Sequence, residues 1–273
     1  MISRLSHLDP STQERVLSLV ADASDRDGIP PLAEHVLLHL RHGGDIADTH
    51  FIAEIDGELA AYAHLDLTDE IEGPSAEIVV APRFRNRGIG SELLRELVRA
   101  SGSRLRLWSH GDLPGAKTIA ERNGLHRVRT VVQMRRSLGD PIPEIDSAIP
   151  IRTFLLGLDE KPWLELNNAA FAGHPEQADW SNRDLAIRTS ENWFDATGFF
   201  IAELEGKMAG FCWTKVHGGH THQHSANDPI HDHDPIGEIY IMGVLPEFRG
   251  KGIGRAVTHA GLRYLRSEEH TSE

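Results

Sequence analysis

The feature that most constrains this chain is a motif of strand, glycine-rich loop and helix that occurs twice. The loops read Arg-Asn-Arg-Gly-Ile-Gly at residues 85–90 and Arg-Gly-Lys-Gly-Ile-Gly at residues 249–254, and we name them the first and second glycine loops. An apolar run and a Pro-x-Phe triplet precede each loop, and a segment with helical apolar spacing follows it. Glycines let the backbone approach an anion, and the first turn of a helix offers unpaired N–H groups. The motif therefore predicts pyrophosphate binding.

The spacing separates this motif from other nucleotide-binding loops. Neither copy has the G-x-x-x-x-G-K-[ST] of a P-loop or the G-x-G-x-x-G of a dinucleotide-binding fold. The pattern that is present, Arg-x-x-Gly-x-Gly after a strand, resembles the acetyl-CoA signature of the GCN5-related N-acetyltransferases (GNAT). The resemblance implies an α/β fold with a mixed sheet (α+β), two tandem GNAT domains, and acetyl-CoA as the cosubstrate.

Length and charge limit the alternatives. With 273 residues the chain can form two domains that each bury a core. Its net charge of −13 argues against a general nucleic-acid or membrane-surface role. No apolar run approaches the ~20 residues of a membrane span, and the N-terminus lacks a signal-peptide pattern. The single cysteine, Cys212, excludes an internal disulfide and is expected in the core rather than as a nucleophile. We expect a cytoplasmic monomer that binds small molecules, but no nucleic acid and no membrane.

A second repeat locates an insertion. Residues 51–57 (FIAEIDG) align with residues 200–206 (FIAELEG) at an offset of 149, whereas the glycine loops are offset by 164. The 15 additional residues must therefore lie between the hairpin and the second glycine loop, where residues 217–234 are rich in histidine. Glycines and polar residues surround these histidines, so we predict a surface loop and no metal site.

Apolar patterns predict the remaining elements. In the first half they indicate helices at residues 12–23 and 30–40, a hairpin of strands 51–55 and 58–67, strand 76–80, helix 91–100, strand 105–109, helix 115–122, and closing strands within 124–138. Residues 140–150 are proline-rich and lack a period, which indicates a linker. The predicted domains are residues 1–139 and 151–273.

Direct acetyl transfer to an amine requires a polarised carbonyl and a base near the amine. Glu238 is the candidate base, because it begins the strand before the second glycine loop. Glu77 stands three residues closer to the first loop, so an unchanged register would place the two carboxylates on opposite faces of equivalent strands. Pro74 would then be the counterpart of Glu238. The first half would have no base.

The general acid also indicates that the first half is not catalytic. GNAT enzymes commonly carry a tyrosine that protonates the leaving thiolate, and the corresponding position in the first half is Ala120. We therefore expect the first domain to bind CoA without catalysis and the second domain to catalyse transfer.

A more specific resemblance covers nearly the whole chain. Three segments, NNAAFAGHPEQ (residues 167–177), WTKVH (213–217) and GEIY (237–240), look like those of the mycothiol synthase family of tandem acetyltransferases. This resemblance implies acetylation of the cysteinyl amine of the thiol sugar Cys-GlcN-inositol. It implies that Glu34, Glu176, Lys215 and Glu238 contact that substrate, with Glu238 also the general base.

The resemblance also implies two CoA sites. The reacting acetyl-CoA would contact Met242, Gly243, Val244, Arg249, Gly250, Lys251, Gly252, Ile253, Gly254 and Arg255. A second, unreactive CoA would contact Ile78, Val79, Val80, Arg85, Asn86, Arg87, Gly88, Ile89, Gly90 and Ser91.

One departure from the family pattern concerns the end of the chain. By the repeat, the second half should continue past Leu265 with a strand, a short helix with the acid tyrosine, and two closing strands. The polar residues 266–273 indicate instead a truncated second domain with weak or no activity. Two alternatives follow: a tandem GNAT enzyme for another amine, such as an aminoglycoside or a peptide, or an inactive CoA-binding module.

Overall fold

The computed structural model describes residues 1–43, 49–68, 72–102, 104–174, 180–217 and 236–270. The chain divides into two compact units, Met1–Val132 and Gln133–Glu273. Within the described ranges, no helix is both long and apolar enough to cross a membrane. The bounds of the linker stay a prediction. Of the predicted histidine-rich loop at residues 217–234, all but His217 lies outside the described residues, and His217 is the last residue of a strand.

The first unit is a five-stranded sheet with helices. Its elements are β1 (Ile2–Leu5), α1 (Pro10–Asp27), α2 (Glu34–His42), β2 (Thr49–Ile55), β3 (Glu58–Asp66), β4 (Ser75–Val80), α3 (Ile89–Ser101), β5 (Arg106–Trp108) and α4 (Pro114–Arg122). The strands follow in the order β1-β2-β3-β4-β5, and only β4 and β5 are parallel. The core includes Val16 and Val20 of α1 and Leu93 and Leu97 of α3, which recur at helical spacing.

The second unit repeats most of this order. Its elements are β6 (Ile151–Thr153), α5 (Glu160–Ala170), α6 (Asn182–Ser190), β7 (Phe199–Leu204), β8 (Lys207–His217), β9 (Ile236–Val244) and α7 (Ile253–His270). The sheet is β6-β7-β8-β9, with antiparallel pairing throughout. Trp163 of α5 packs on Trp213 on one face, while α7 brings Gly261 against Cys212 on the other. The two hairpins match in register: His50 is opposite His64 as Phe199 is opposite Trp213.

One predicted element is wrong. Residues 124–138 contain no strand, and Val128 and Met134 are 85% and 90% exposed. A strand requires a partner for its N–H and C=O groups. The edge strand β5 has only three residues, and no other strand of the described chain lies opposite this segment.

The lone cysteine is in the core. Cys212 is fully buried in β8, and this burial raises the pKa of its thiol to about 12. A thiol that stays protonated and inaccessible does not act as a nucleophile.

We therefore expect Cys212 to resist a thiol reagent such as 5,5′-dithiobis-(2-nitrobenzoate) at pH 8 in the folded protein. The same chain unfolded in guanidinium should react completely within the same time. Equal rates before and after unfolding would contradict the burial of this thiol.

Candidate active site

The second glycine loop has the backbone geometry that an anion site requires. Gly250 and Gly252 have φ of +81° and +84°, which side chains other than hydrogen disfavour, and α7 begins directly after them at Ile253. The first N–H groups of α7 have no acceptor within the helix, and the helix dipole adds partial positive charge there.

Cations surround this loop. The Arg249 guanidinium donates to the carbonyl oxygen of Ala170 at 2.9 Å. Lys251 lies 4.8 Å over the buried Phe248 ring and 3.5 Å from a carboxylate oxygen of Glu205, in an exposed ion pair. Arg255 is exposed on the first turn of α7. This donor set fits the pyrophosphate of CoA by charge and by hydrogen-bonding capacity.

The first glycine loop is similar in backbone but differs in electrostatics. Asn86 and Gly88 have φ of +62° and +84°, and α3 begins at Ile89. Here the arginine is bound by a carboxylate: Arg85 donates to both oxygens of Asp27 at 2.7 and 2.8 Å. The Asp27 side chain is only 10% exposed, so this pair neutralises the arginine beside the loop.

A β-bulge decides where the candidate base lies. Trp213 is opposite Ile241, but Thr214 is opposite Ile239, so Tyr240 is an additional residue in β9. Beyond this bulge, Glu238 is opposite Lys215. Residues directly opposite in a sheet lie on the same face. The bulge therefore places Glu238 on the face that carries Trp213 and Lys215.

The bulge overturns one prediction from the sequence. The first unit has no register shift between β3 and β4, where His64 is opposite Glu77 and Asp66 is opposite Ser75. The strand equivalence makes Ser75 the counterpart of Glu238. The prediction that Pro74 is this counterpart, and that Glu77 and Glu238 lie on opposite faces, is wrong because the bulge adds one residue to β9.

Aromatic side chains surround the face that holds Glu238. The Lys215 ammonium lies 4.3 Å over the Trp193 ring and 5.4 Å from the Tyr240 ring centroid. The Tyr240 hydroxyl accepts from Arg188 at 3.1 Å, and Glu238 is bonded to His217 at 2.7 Å. The site therefore has a half-exposed carboxylate, two cations and flat aromatic surfaces, which are suitable for a hydroxylated amine.

In the first unit, the carboxylate on the same face is buried. Glu77 is 3% exposed, accepts from the Ala33 N–H at 2.8 Å, and is 3.1 Å from His110. Burial raises the pKa of Glu77, but the hydrogen bond and charge of His110, the charge of His35 and the Ala33 N–H outweigh it, so the net pKa lies below its ordinary value of 4.5. This carboxylate connects α2 to the segment after β5.

The predicted site residues fall into three groups. Lys215 and Glu238 come together as cross-strand neighbours, next to the strand end that leads to the second glycine loop. Glu34 begins α2 in the other unit, and Glu176 lies outside the described residues. The sequence reasoning missed the contacts of Trp193 and Tyr240. The WTKVH segment also gave no role to His217, although the alternation of side chains along a strand places Trp213, Lys215 and His217 on one face.

The comparisons with known proteins now define the class. The Acetyltransferase (GNAT) family model matches residues 19–124 and 161–272, once in each unit. A tandem GNAT protein from the clavulanic acid biosynthesis pathway has the same fold, with a TM-score of 0.60 and 20% identity over 99% of this chain and 86% of that one. The chain is thus a tandem GNAT acetyltransferase.

Curated relatives narrow the family. The mycothiol acetyltransferase of Acidothermus cellulolyticus is 50% identical over 265 residues, which is 95% of this chain and 81% of that relative. The mycothiol acetyltransferase of Thermobispora bispora is 47% identical over 94% of this chain and 84% of its own length. The chain belongs to the mycothiol acetyltransferase family of N-acetyltransferases, and this membership implies acetyl-CoA as the cosubstrate.

The buried Glu77 allows a test of stability. We expect Glu77→Gln to lower the free energy of unfolding of the first unit by about 2 to 3 kcal/mol at pH 7, because it weakens two hydrogen bonds to a buried charge. A carboxyl group with a lowered pKa contributes its stability above the ordinary value and loses it as the pH falls. The difference between the two proteins should therefore shrink below about pH 4.5.

Urea denaturation, with amide hydrogen exchange of β4 as the local readout, measures this effect. Glu14→Gln changes an exposed carboxylate of α1 and serves as the control. A Glu77→Gln protein as stable as the control at pH 7 would show that the buried contacts contribute nothing.

Proposed function

We propose that this protein transfers the acetyl group of acetyl-CoA directly to the cysteinyl amine of Cys-GlcN-inositol, with Glu238 as general base. One observation carries the proposal. The bulge in β9 turns Glu238 to the face of Lys215, on the same strand that leads into the second glycine loop. Acyl transfer to an amine requires a proton acceptor near the amine and a polarised thioester carbonyl. Glu238 would supply the first, and the loop that follows the same strand would hold the acetyl-CoA whose carbonyl is polarised.

The residues divide the chemistry in a definite way. Glu238 takes the proton of the amine, through a water molecule, so that the nitrogen can attack the thioester carbonyl. A backbone N–H of β9 near residues 242–244 stabilises the developing oxyanion. Arg249, Lys251 and the first turn of α7 hold the pyrophosphate and so fix the acetyl group relative to the base.

The acceptor is assigned by chemistry and by family. Its sugar and inositol hydroxyls would bond to Lys215, since an ammonium group is a good partner for hydroxyls. Trp193 beside Lys215 offers an aromatic surface for the same ligand. Relatives that are up to 50% identical over most of this chain carry the name mycothiol acetyltransferase, which supports this acceptor over an aminoglycoside or a peptide.

The base is tested by Glu238→Gln. We expect kcat for acetylation of Cys-GlcN-inositol to fall by about 10²- to 10⁴-fold, because the amide cannot accept the amine proton. Release of CoA thiol measures the rate, and an aminoglycoside and a peptide serve as competing acceptors. Glu165→Gln, at an exposed position on α5, should keep the rate of the unsubstituted protein. A Glu238→Gln enzyme of normal kcat would contradict the assignment of the base, and a preference for another amine would contradict the acceptor.

The roles of the two glycine loops are tested by a matched pair. Gly88 and Gly252 occupy equivalent positions with the same φ of +84°, so alanine strains both backbones equally. We assign the reacting acetyl-CoA to the second loop and an unreactive CoA to the first. Gly252→Ala should therefore raise the KM for acetyl-CoA by about 10-fold or more, which is ~1.4 kcal/mol of binding.

Gly88→Ala is the internal control and should leave kcat and KM unchanged, because no reacting group binds at the first loop. Steady-state kinetics with varied acetyl-CoA measures both variants, and calorimetry counts the CoA molecules bound to each. A loss of turnover in Gly88→Ala with Gly252→Ala unaffected would reverse the assignment of the two loops.

A further inference from the structure

His217 is the last residue of β8 and lies diagonally across the sheet from Glu238. Its Nε2 is 2.7 Å from the Glu238 Oε2, and both side chains are 45% exposed. The strand places Trp213, Lys215 and His217 on one face by alternation, and the bulge brings Glu238 to that face. The contact therefore depends on the same register shift that makes Glu238 a candidate base.

Lys215 and His217 of β8 both lie near Glu238, but they have different contacts. Lys215 is directly opposite on β8 but has its ammonium over the Trp193 and Tyr240 rings. Arg188 of α6 donates to the Tyr240 hydroxyl. His217 is the group that bonds to a defined carboxylate oxygen, Oε2, at the short end of the hydrogen-bond range.

We propose that His217 is the positioning residue of the general base. In the tautomer with the proton on Nε2, His217 donates to Oε2 of Glu238 and so holds the carboxylate with Oε1 directed to the amine. This inference rests on the proposed function of Glu238 and adds a residue to it. A rotating carboxylate would spend part of its time out of reach of the proton, and a misplacement of about 1 Å can cost ~10²-fold in rate.

The reaction remains balanced with this residue in place. The amine nitrogen forms a bond to the acetyl carbon, the carbon–sulfur bond breaks, and its electron pair leaves on the CoA thiolate. Glu238 accepts the proton of the amine at Oε1 through the intervening water molecule, while the thiolate takes a proton from solvent. His217 keeps its own proton throughout, so its contribution is orientation rather than proton transfer.

An ordinary exposed ion pair would look similar but would behave differently. Such pairs contribute little to stability, and the loss of such a pair would leave kcat close to that of the unsubstituted chain. A positioning residue, in contrast, affects kcat through Glu238 and leaves the KM for acetyl-CoA unchanged. It can also be replaced by a side chain that donates from the same place.

Four variants of the full chain separate these cases: His217→Ala, His217→Gln, Glu238→Gln and the double variant His217→Ala/Glu238→Gln. His126→Ala, an exposed histidine of the other unit, is the control. We expect His217→Ala to lower kcat by about 10-fold or more and to move the acid limb of the kcat profile by ~0.5 pH unit or more. His217→Gln should recover kcat to within about 3-fold, because its amide nitrogen can donate to the same oxygen.

The double variant tests whether His217 acts through Glu238. We expect it to have the same kcat as Glu238→Gln alone, since two residues that act as a unit are not additive. A His217→Ala enzyme with the kcat and pH profile of the control, a His217→Gln enzyme as slow as His217→Ala, or additive losses in the double variant would overturn the role of His217 while leaving Glu238 as the base. Normal turnover by Glu238→Gln, or none by the unsubstituted chain, would instead remove the proposed function itself.

Discussion

The β-bulge at Tyr240 is the constraint on which the candidate site depends. Side chains of a strand alternate between faces, so one additional residue exchanges the faces of everything beyond it. Without the bulge, Ile239 would be opposite Lys215, and Glu238 would point to the face covered by α7. With it, the apolar Ile239 faces α7, where it lies near Gly261, and the carboxylate faces Lys215. A single inserted residue thus satisfies the core on one face and creates the polar site on the other.

The two glycine loops show that a repeated backbone does not imply a repeated function. Both loops use left-handed residues before a helix, but the neighbours of their first arginines differ. Arg85 donates a hydrogen bond to each carboxylate oxygen of Asp27, whereas Arg249 donates to a neutral backbone carbonyl. Charge that is already paired contributes less to binding an anion than charge that is not. Arg85 and Arg249 therefore differ in their pairing, although Lys251 of the second loop also pairs with a carboxylate, that of Glu205 at 3.5 Å.

Much of the fold could be predicted from the sequence. The predictions that were wrong have a common cause. The duplicated loops, the hairpins and the helices α3 and α7 follow from local glycine and apolar patterns, which determine backbone conformation over a few residues. The bulge and the absent strands at residues 124–138 depend instead on pairing between distant segments. The second half has 15 more residues than the first between the hairpin and the glycine loop, and one of them is the bulge residue of β9. No local pattern in the sequence shows that this residue lies in the strand rather than in the predicted loop before it. Lys215 and Glu238 could be named from the family resemblance, but their pairing across β8 and β9 could not.

The residues at equivalent strand positions explain why Glu77 and Glu238 differ in their surroundings. Equivalent core positions hold His50, Tyr62, His64 and Glu77 in the first unit and Phe199, Phe211, Trp213 and Ile241 in the second. Phe199 and Trp213 stack with their ring centroids 4.5 Å apart, so aromatic packing takes the place of polar pairing at these positions of the second sheet. The polar core of the first unit requires each group to be satisfied, and Glu77 is bonded to Ala33 and His110 for that purpose. A carboxylate that connects buried elements cannot also receive a substrate proton. Glu238 instead lies on the same face as the aromatic cluster and beyond Trp213, where its side chain is 45% exposed.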